Sequence, residues 1–250
     1  MDLGIEGRTA LVMAASRGIG KGIAGALARE GARVAISSRS EDALQAAADE
    51  IGGDVRRFPA DTADLERVRR LPHEVEDALG PVEILVANTG GPPGGGALDN
   101  SLEEWEAAFR SLVLAPRILI EEVLPGMRER SWGRIVNVSS SSIREPIPGL
   151  ALSNANRMAA LGLLKTLSDE VAADGITVNT VATGMFATDR LADRHGSLEQ
   201  AEANAAERVP AGRLGRPEEY GDLVAFLCSE RAAYLTGTVI PLDGGLLRSV

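Results

Sequence analysis

The sequence predicts a doubly wound α/β fold: a parallel sheet of the Rossmann type, covered by helices on both faces, forming a single domain over residues 1–250. Three observations predict it. Short β-branched runs alternate with longer segments of helical period, the pattern of strands joined by crossover helices. A glycine-containing turn, Ala14-Ala15-Ser16-Arg17-Gly18-Ile19-Gly20, follows the first such run and opens a helix. The composition is 44% hydrophobic but only 3% aromatic, so one sizeable core must be built from aliphatic side chains.

Thr9–Met13 reads as the first strand and Gly18–Glu30 as the first helix, closed by Gly31 where a left-handed residue is wanted. Arg33–Ser37 and Val55–Phe58 read as strands, each followed by a helix, at Glu41–Ile51 and from about Leu65 to Leu79. Ile84–Ala87 is a fourth strand, and the Gly/Pro-rich loop Gly90–Gly96 after it falls where a ligand crevice is expected. Ser101 opens a long helix, with Glu104 completing a capping box. Pro116 lies inside that helix and has no N–H for the Leu112 carbonyl, so a break is expected near Leu112. Arg134–Val138 and Ile176–Val181 are strands flanking a helix over Ala151–Ala172. Thr188–Val209 is polar and Ala-rich and reads as a helical flap. A helix over Glu218–Cys228 precedes a last strand, Thr238–Leu242, whose Pro241 suits a sheet edge.

A net charge of −10 and the lack of a Lys/Arg cluster argue against nucleic acid or an anionic membrane as partner. The single cysteine, Cys228, excludes an intrachain disulfide. Met1–Glu6 lacks the basic stretch and apolar run of a signal peptide, and no stretch is apolar enough to span a membrane. The expectation is a cytoplasmic protein with a small-molecule substrate and no metal. Apolar residues around much of the long helix (Leu112, Val113, Leu114, Ile118, Leu119, Val123) predict a homotetramer or homodimer.

Glycines in the first turn let backbone approach a pyrophosphate, whose charge meets the helix N-terminus. Further motifs follow in order: Ala87-Asn88-Thr89-Gly90; Gly133–Ser140; Asp174–Asn179 leading through Ala182-Thr183-Gly184 to Thr188-Asp189; Arg213–Glu219; Tyr234–Gly237 and Asp243-Gly244-Gly245. Over nearly the whole chain this order and spacing resemble the short-chain dehydrogenase/reductase family, in particular its 3-oxoacyl-carrier-protein reductase-like members. The resemblance implies that Ser16, Arg17 and Ile19 hold the pyrophosphate and that Asp61 and Thr62 sit by the adenine. It places Asn88 and Gly90 along the ribose path, and Gly184, Phe186 and Thr188 at the nicotinamide. Ala14 departs from the family's first Gly; an Ala needs ordinary φ and adds a methyl, so weaker binding is expected. NAD binders place an acid at the end of the second strand, but here that end reads Ser37-Ser38-Arg39-Ser40. With Arg39 and Arg17 both able to fork a 2′-phosphate, NADP(H) is expected over NAD(H).

The catalytic positions diverge. The resemblance implies a Tyr acid, a Lys four residues later that holds the ribose, a Ser that bonds the substrate oxygen, and an Asn that holds a relay water. Aligned on Gly133–Ser140 and Ala160–Leu163, Ser140 matches the Ser, but the other positions hold Ser153, Arg157 and Leu112. Tyr220 and Tyr234, the only tyrosines, fall in positions remote from the acid. Pro116 could keep the water site on the Leu112 carbonyl. His195 on the flap and Glu145 are substitute acids; His73 reads as surface, and Arg144 could bind an acidic substrate. Asn154 and Asn156 read as satisfying the helix end. Three functions stay open: an oxidoreductase for a carbonyl/alcohol pair with Ser140, Ser153 and Arg157 at the reacting oxygen and ribose; a proton-transfer isomerase or lyase; and a cofactor-binding protein without turnover.

Overall fold

The computed structural model describes residues 1–249; Val250, the last residue of the predicted domain, lies outside them. Seven strands form one parallel sheet in the order β3-β2-β1-β4-β5-β6-β7. They are β1 (Thr9–Met13), β2 (Arg33–Ser37), β3 (Val55–Arg57), β4 (Val82–Ala87), β5 (Gly133–Val138), β6 (Ile176–Thr183) and β7 (Val239–Leu242). The predicted strands are all present, shifted at their ends by one or two residues. β4 starts two residues early and β6 runs on to Thr183, because ladder pairing with their neighbours extends past the apolar run. Pro241 lies on β7, at the edge of the sheet, where a missing N–H breaks no ladder bond on the open side.

The helices are α1 (Gly18–Arg29), α2 (Glu41–Ile51), α3 (Leu65–Leu79), α4 (Leu102–Phe109), α5 (Ala115–Glu129), α6 (Ala151–Val171), α7 (Asp189–His195), α8 (Leu198–Arg208) and α9 (Pro217–Leu227). Both faces of the sheet are buried under them, which is why β1 and β5 show no exposed residue. One core joins Val12, Ile36, Val86 and Val136 to α1 and α9 through Ile23, Leu27 and Val224. The other joins Leu11, Leu85 and Ile135 to α3, α5 and α6 through Leu71, Leu119 and Leu164. Alternate residues of one strand thus serve opposite cores. On the first face α1 and α9 touch backbone to backbone. A Cβ on Gly22 would lie 2.3 Å from the Pro217 carbonyl oxygen, and one on Gly221 would lie 2.3 Å from that of Gly22.

The helix opened by Ser101 has the predicted capping box and the predicted break. Residues Arg110–Leu114 form a π turn, in which the Ala115 N–H donates to the Arg110 carbonyl, and Pro116 follows at the start of α5. The proline cannot supply the N–H that an α-helix would give Leu112. The helix therefore takes in one extra residue, which rotates its face by about 100°. This rotation corrects the residues expected on a subunit interface. Leu112 and Val113 are buried against Ala160, and Ile118, Leu119 and Val123 belong to the α3–α5 core. The large apolar side chains left exposed on α4 and α6 are Leu102, Phe109 and Met158. The predicted flap is two helices, α7 and α8, which enclose a small core of Ala201, Ala205, Val209 and Leu214.

Candidate active site

Every strand points its carboxyl end to the same side, and the chain winds in opposite directions from β1 and β4, so a crevice opens between them. Its floor is the turn after β1. Asn88, just past β4, donates its side-chain amide to the Ala14 carbonyl at 3.3 Å, and a Cβ on Gly20 would lie 2.3 Å from that same oxygen. These contacts fix the turn, and they overturn the expectation for Ala14. Its φ is +48°, in the left-handed region, not the ordinary φ read from its side chain. The tertiary bond from Asn88 outweighs the local preference of an alanine. α1 then begins without a capping side chain and without an acid in its first turn. Its leading N–H groups are left for an anion. α2, α3, α4, α7 and α8 each carry a Ser, Thr or Asp cap instead.

The other nucleotide positions converge on this floor. Thr188, which caps α7, packs so close to Gly18 that a Cβ there would meet its methyl at 3.2 Å. Arg17 reaches Asp189 at 3.4 Å, an exposed ion pair that ties the turn to the flap and contributes little stability. At the end of β2 the hydroxyls of Ser37 and Ser38 are buried without a partner, and Arg39 is exposed with no ion pair among the described residues. Asp61 accepts the Ala63 N–H and, like Thr62, is partly exposed beside α3. Ser16, Ile19 and Gly90 lie on the turn, the first turn of α1 and the loop after β4. Gly184 passes so close to Asp243 that a Cβ would lie 2.5 Å from the Asp243 Cα. Phe186 is buried edge-on against Tyr220, with ring centroids 5.2 Å apart. The orphaned hydroxyls at β2 and the uncapped start of α1 fit a nicotinamide dinucleotide.

The catalytic positions meet at the end of β5. Arg157, on the first turns of α6, donates through Nε to the Ser153 hydroxyl at 3.2 Å and through Nη1 to the Val138 carbonyl at 2.9 Å. Burial, and then the charge of Arg190, depress the Arg157 guanidinium to about 10. It remains a cation at neutral pH. The Ser140 oxygen accepts the Ser142 N–H at 3.1 Å, which keeps its own hydrogen free to donate. Of the expected substitute acids, Glu145 is a correction. Its carboxylate accepts the N–H groups of Arg248 and Ser249, and these bonds hold it below the usual range, so it is an ionised clasp for the C-terminal segment. His195 ends α7, and His73 on α3 is an exposed partner of Glu122 on α5. Arg144 is exposed at the rim. Asn154 pins the loop by accepting from and donating to the Ile147 backbone, whereas Asn156 bonds within its own helix.

Two features escape the sequence reading. The first is the seat of Tyr220, whose hydroxyl bonds Thr183 at the end of β6 at 2.9 Å. It is wholly buried, which raises its pKa and keeps it from substrate. The second is Arg190, whose Nη1 donates to the Gly91 carbonyl at 2.9 Å and closes the flap on the loop after β4. A lone arginine on a polar helix reads as solvated charge, and only the sheet order brings it to this loop.

Known proteins share this architecture. A family model described as "Enoyl-(Acyl carrier protein) reductase" matches residues 13–247. The 3-oxoacyl-[acyl-carrier-protein] reductase of Vibrio cholerae is 37% identical over 244 residues, covering 98% of this chain and 99% of that protein. Its counterpart from Escherichia coli is 34% identical with the same coverage, 98% and 99%. Among solved structures, L-sorbose reductase from Gluconobacter frateurii, complexed with NADPH and L-sorbose, matches with a TM-score of 0.95 and 32% identity over 100% of both chains. The chain belongs to the short-chain dehydrogenase/reductase family of oxidoreductases, with a sequence similar to its 3-oxoacyl-carrier-protein reductases.

The left-handed backbone at Ala14 makes a direct prediction. Ala14→Gly should raise stability by about 1 kcal/mol, because relieving the strain outweighs the added freedom of the unfolded chain. Urea unfolding monitored by circular dichroism measures this, and a lower midpoint at unchanged slope would contradict it.

Proposed function

We propose that the protein is an NADP(H)-dependent oxidoreductase that interconverts a carbonyl and an alcohol with an atypical proton donor. The observation that carries this reading is the Arg157–Ser153 hydrogen bond at the end of β5, beside the retained Ser140. A hydroxyl backed by a cation supports a role in holding a reacting oxygen. The sorbose reductase of Gluconobacter is described with NADPH and a ketose, which supports both the cofactor and the substrate class.

In this reading Ser16, Arg17 and Ile19 receive the pyrophosphate at the open start of α1. Ser38 and Arg39 take the 2′-phosphate, Asp61 and Thr62 border the adenine, and Asn88 and Gly90 line the ribose path past Ala14. Gly184, Phe186 and Thr188 flank the nicotinamide, which supplies or accepts the hydride. Ser140 donates to the substrate oxygen. Arg157 donates to Ser153, so the Ser153 oxygen is committed as acceptor and its hydrogen is directed elsewhere, toward the oxygen that gains charge. A serine is a far weaker acid than a phenol. The Arg157 cation offsets part of this by stabilising the oxygen left behind. Pro116 leaves the Leu112 carbonyl without its α-helical partner, a place to hold the water that restores the proton.

The acid-free end of β2 predicts tighter binding of NADPH than NADH, with Arg39→Ala weakening NADPH selectively by about tenfold. Titration by protein fluorescence or calorimetry measures it; equal affinities, or a preference for NADH, would reject the assignment.

Self-association is the second expectation. Trp105, Phe109, Leu114, Ala155 and Ala159 line an apolar groove between α4 and α6, with Phe109 and Met158 exposed. A homodimer or homotetramer covering that groove is proposed, and Phe109→Asp should shift it toward monomer. Sedimentation velocity at micromolar concentration is the check, and a wild-type monomer would refute it.

The third expectation concerns rate. A positioned general acid typically contributes about 10²–10⁴-fold. Simple ketones and 3-oxoacyl thioesters should therefore be reduced slowly despite sound cofactor binding, and Ser153→Tyr combined with Arg157→Lys should accelerate generic ketones by at least about tenfold. An NADPH-oxidation assay over a carbonyl panel decides it. Fast wild-type turnover that survives Ser153→Ala would place the acid elsewhere, with His195 the next residue to replace.

A further inference from the structure

We infer that the crevice takes a substrate with a carboxylate close to the reacting carbon, an oxo acid or its hydroxy acid, and that Arg190 on the flap reads the carboxylate together with Arg157. This rests on the oxidoreductase reading and names its substrate class. Arg190 donates to the carbonyls of Gly91 at 2.9 Å and Pro92 at 3.4 Å, in the loop just past β4. Arg157 holds the Val138 carbonyl at the end of β5. β4 and β5 are neighbours, with Ala87 paired to Asn137, so the guanidiniums of α7 and α6 are fastened to backbone that follows adjacent strands. Each uses part of its fork on backbone and keeps N–H groups free: Nη2 of Arg157 and Nε of Arg190 have no acceptor in the fold.

Neither arginine makes an ion pair among the described residues, in a chain with 36 acids against 26 bases. The acid next to Arg190, Asp189, is turned to Arg17 instead. Arg194, one turn further along α7, adds a third positive charge. Arg157 is half-buried, and cations of like sign set close together without a counter-charge favour an anionic ligand between them. The hydroxyls of Ser139 and Ser142, buried after β5 without a partner, add orphaned polar groups at the same strand end. The cofactor's phosphates are assigned to the starts of α1 and α2, which follow β1 and β2, whereas the two guanidiniums bond backbone that follows β4 and β5. A neutral ketose or thioester brings no charge to answer two guanidiniums. In the reduction, the carbonyl carbon gains the hydride from NADPH and its oxygen gains a proton drawn from solvent, giving the hydroxy acid and NADP⁺.

The test compares 2-oxo and 3-oxo acids with their methyl esters as substrates for NADPH oxidation, in wild type, Arg190→Ala and Arg190→Lys. Acids should exceed their esters in kcat/KM by at least about tenfold. Arg190→Ala should cut the acids by about 10- to 100-fold, chiefly through KM, and leave the esters within about threefold. Arg190→Lys should restore part of the preference. Mere disturbance of the flap would lower acids and esters alike, so an unchanged acid-to-ester ratio in Arg190→Ala overturns the inference, as does a wild-type preference for esters. Calorimetry with the matching saturated acid, which has no carbonyl, separates this from the redox reading. If no carbonyl is reduced, the redox reading falls; saturable binding of that acid, lost in Arg190→Ala, would still uphold the anion site, and no binding would overturn it.

Discussion

The guanidinium of Arg157 spans from α6 to the Val138 carbonyl and on its way holds the hydroxyl of Ser153, and the geometry of the reacting corner depends on this bond pair. The end of a parallel strand leaves a carbonyl with no ladder partner. Here a side chain from the crossover helix satisfies it. That anchors α6 to β5 at the point where Ser140 begins its short turn, and keeps a charge in a setting where water is scarce. A lysine could supply the charge, but not two donors in a fixed plane directed at two different oxygens. Ser153 and Arg157 are thus coherent as a pair, the fork of one orienting the hydroxyl of the other.

Much of this architecture was legible in the sequence, for physical reasons that can be named. Strand period, turn glycines and the Ser101 capping box are local signals, and β1–β7 with α1–α9 follow them to within a few residues. The break near Leu112 was legible because a missing N–H is a property of proline alone, whatever surrounds it. What failed was what depends on distant partners. Ala14 adopts a left-handed backbone because Asn88, 74 residues on, bonds its carbonyl. Leu112 and Val113, in the π turn, and Ile118, Leu119 and Val123, beyond it, are buried within the chain, whereas Leu114 stays partly exposed on the groove. Glu145 read as a free acid, and only the path of the C-terminal segment shows its oxygens engaged. Tyr220 was judged by its place in the chain, and only the packing of α9 against β6 shows its hydroxyl bonded to Thr183.

The crevice is held by contacts of two strengths. On the floor, the Asn88–Ala14 bond and the glycine contacts are backbone-deep and leave no room for adjustment. Over the top, the Arg17–Asp189 pair is exposed on both sides and the Arg190 bonds go to loop carbonyls. Such contacts exchange readily with water. α7 itself buries none of its residues. A rigid floor under a lightly fastened roof lets ligands enter without disturbing the turn that binds them.

The seating of Arg190 also limits what can stand opposite it. A Cβ on residue 91 would fall 1.8 Å from the Arg190 Nη2, inside the space the fork now fills. That atom is the tip of a flexible side chain, so a larger residue at 91 would turn the fork aside and leave the loop folded. What would be lost is the tie between α7 and the loop after β4. Position 91 thus sets how firmly the roof is fastened, while the floor is unaffected.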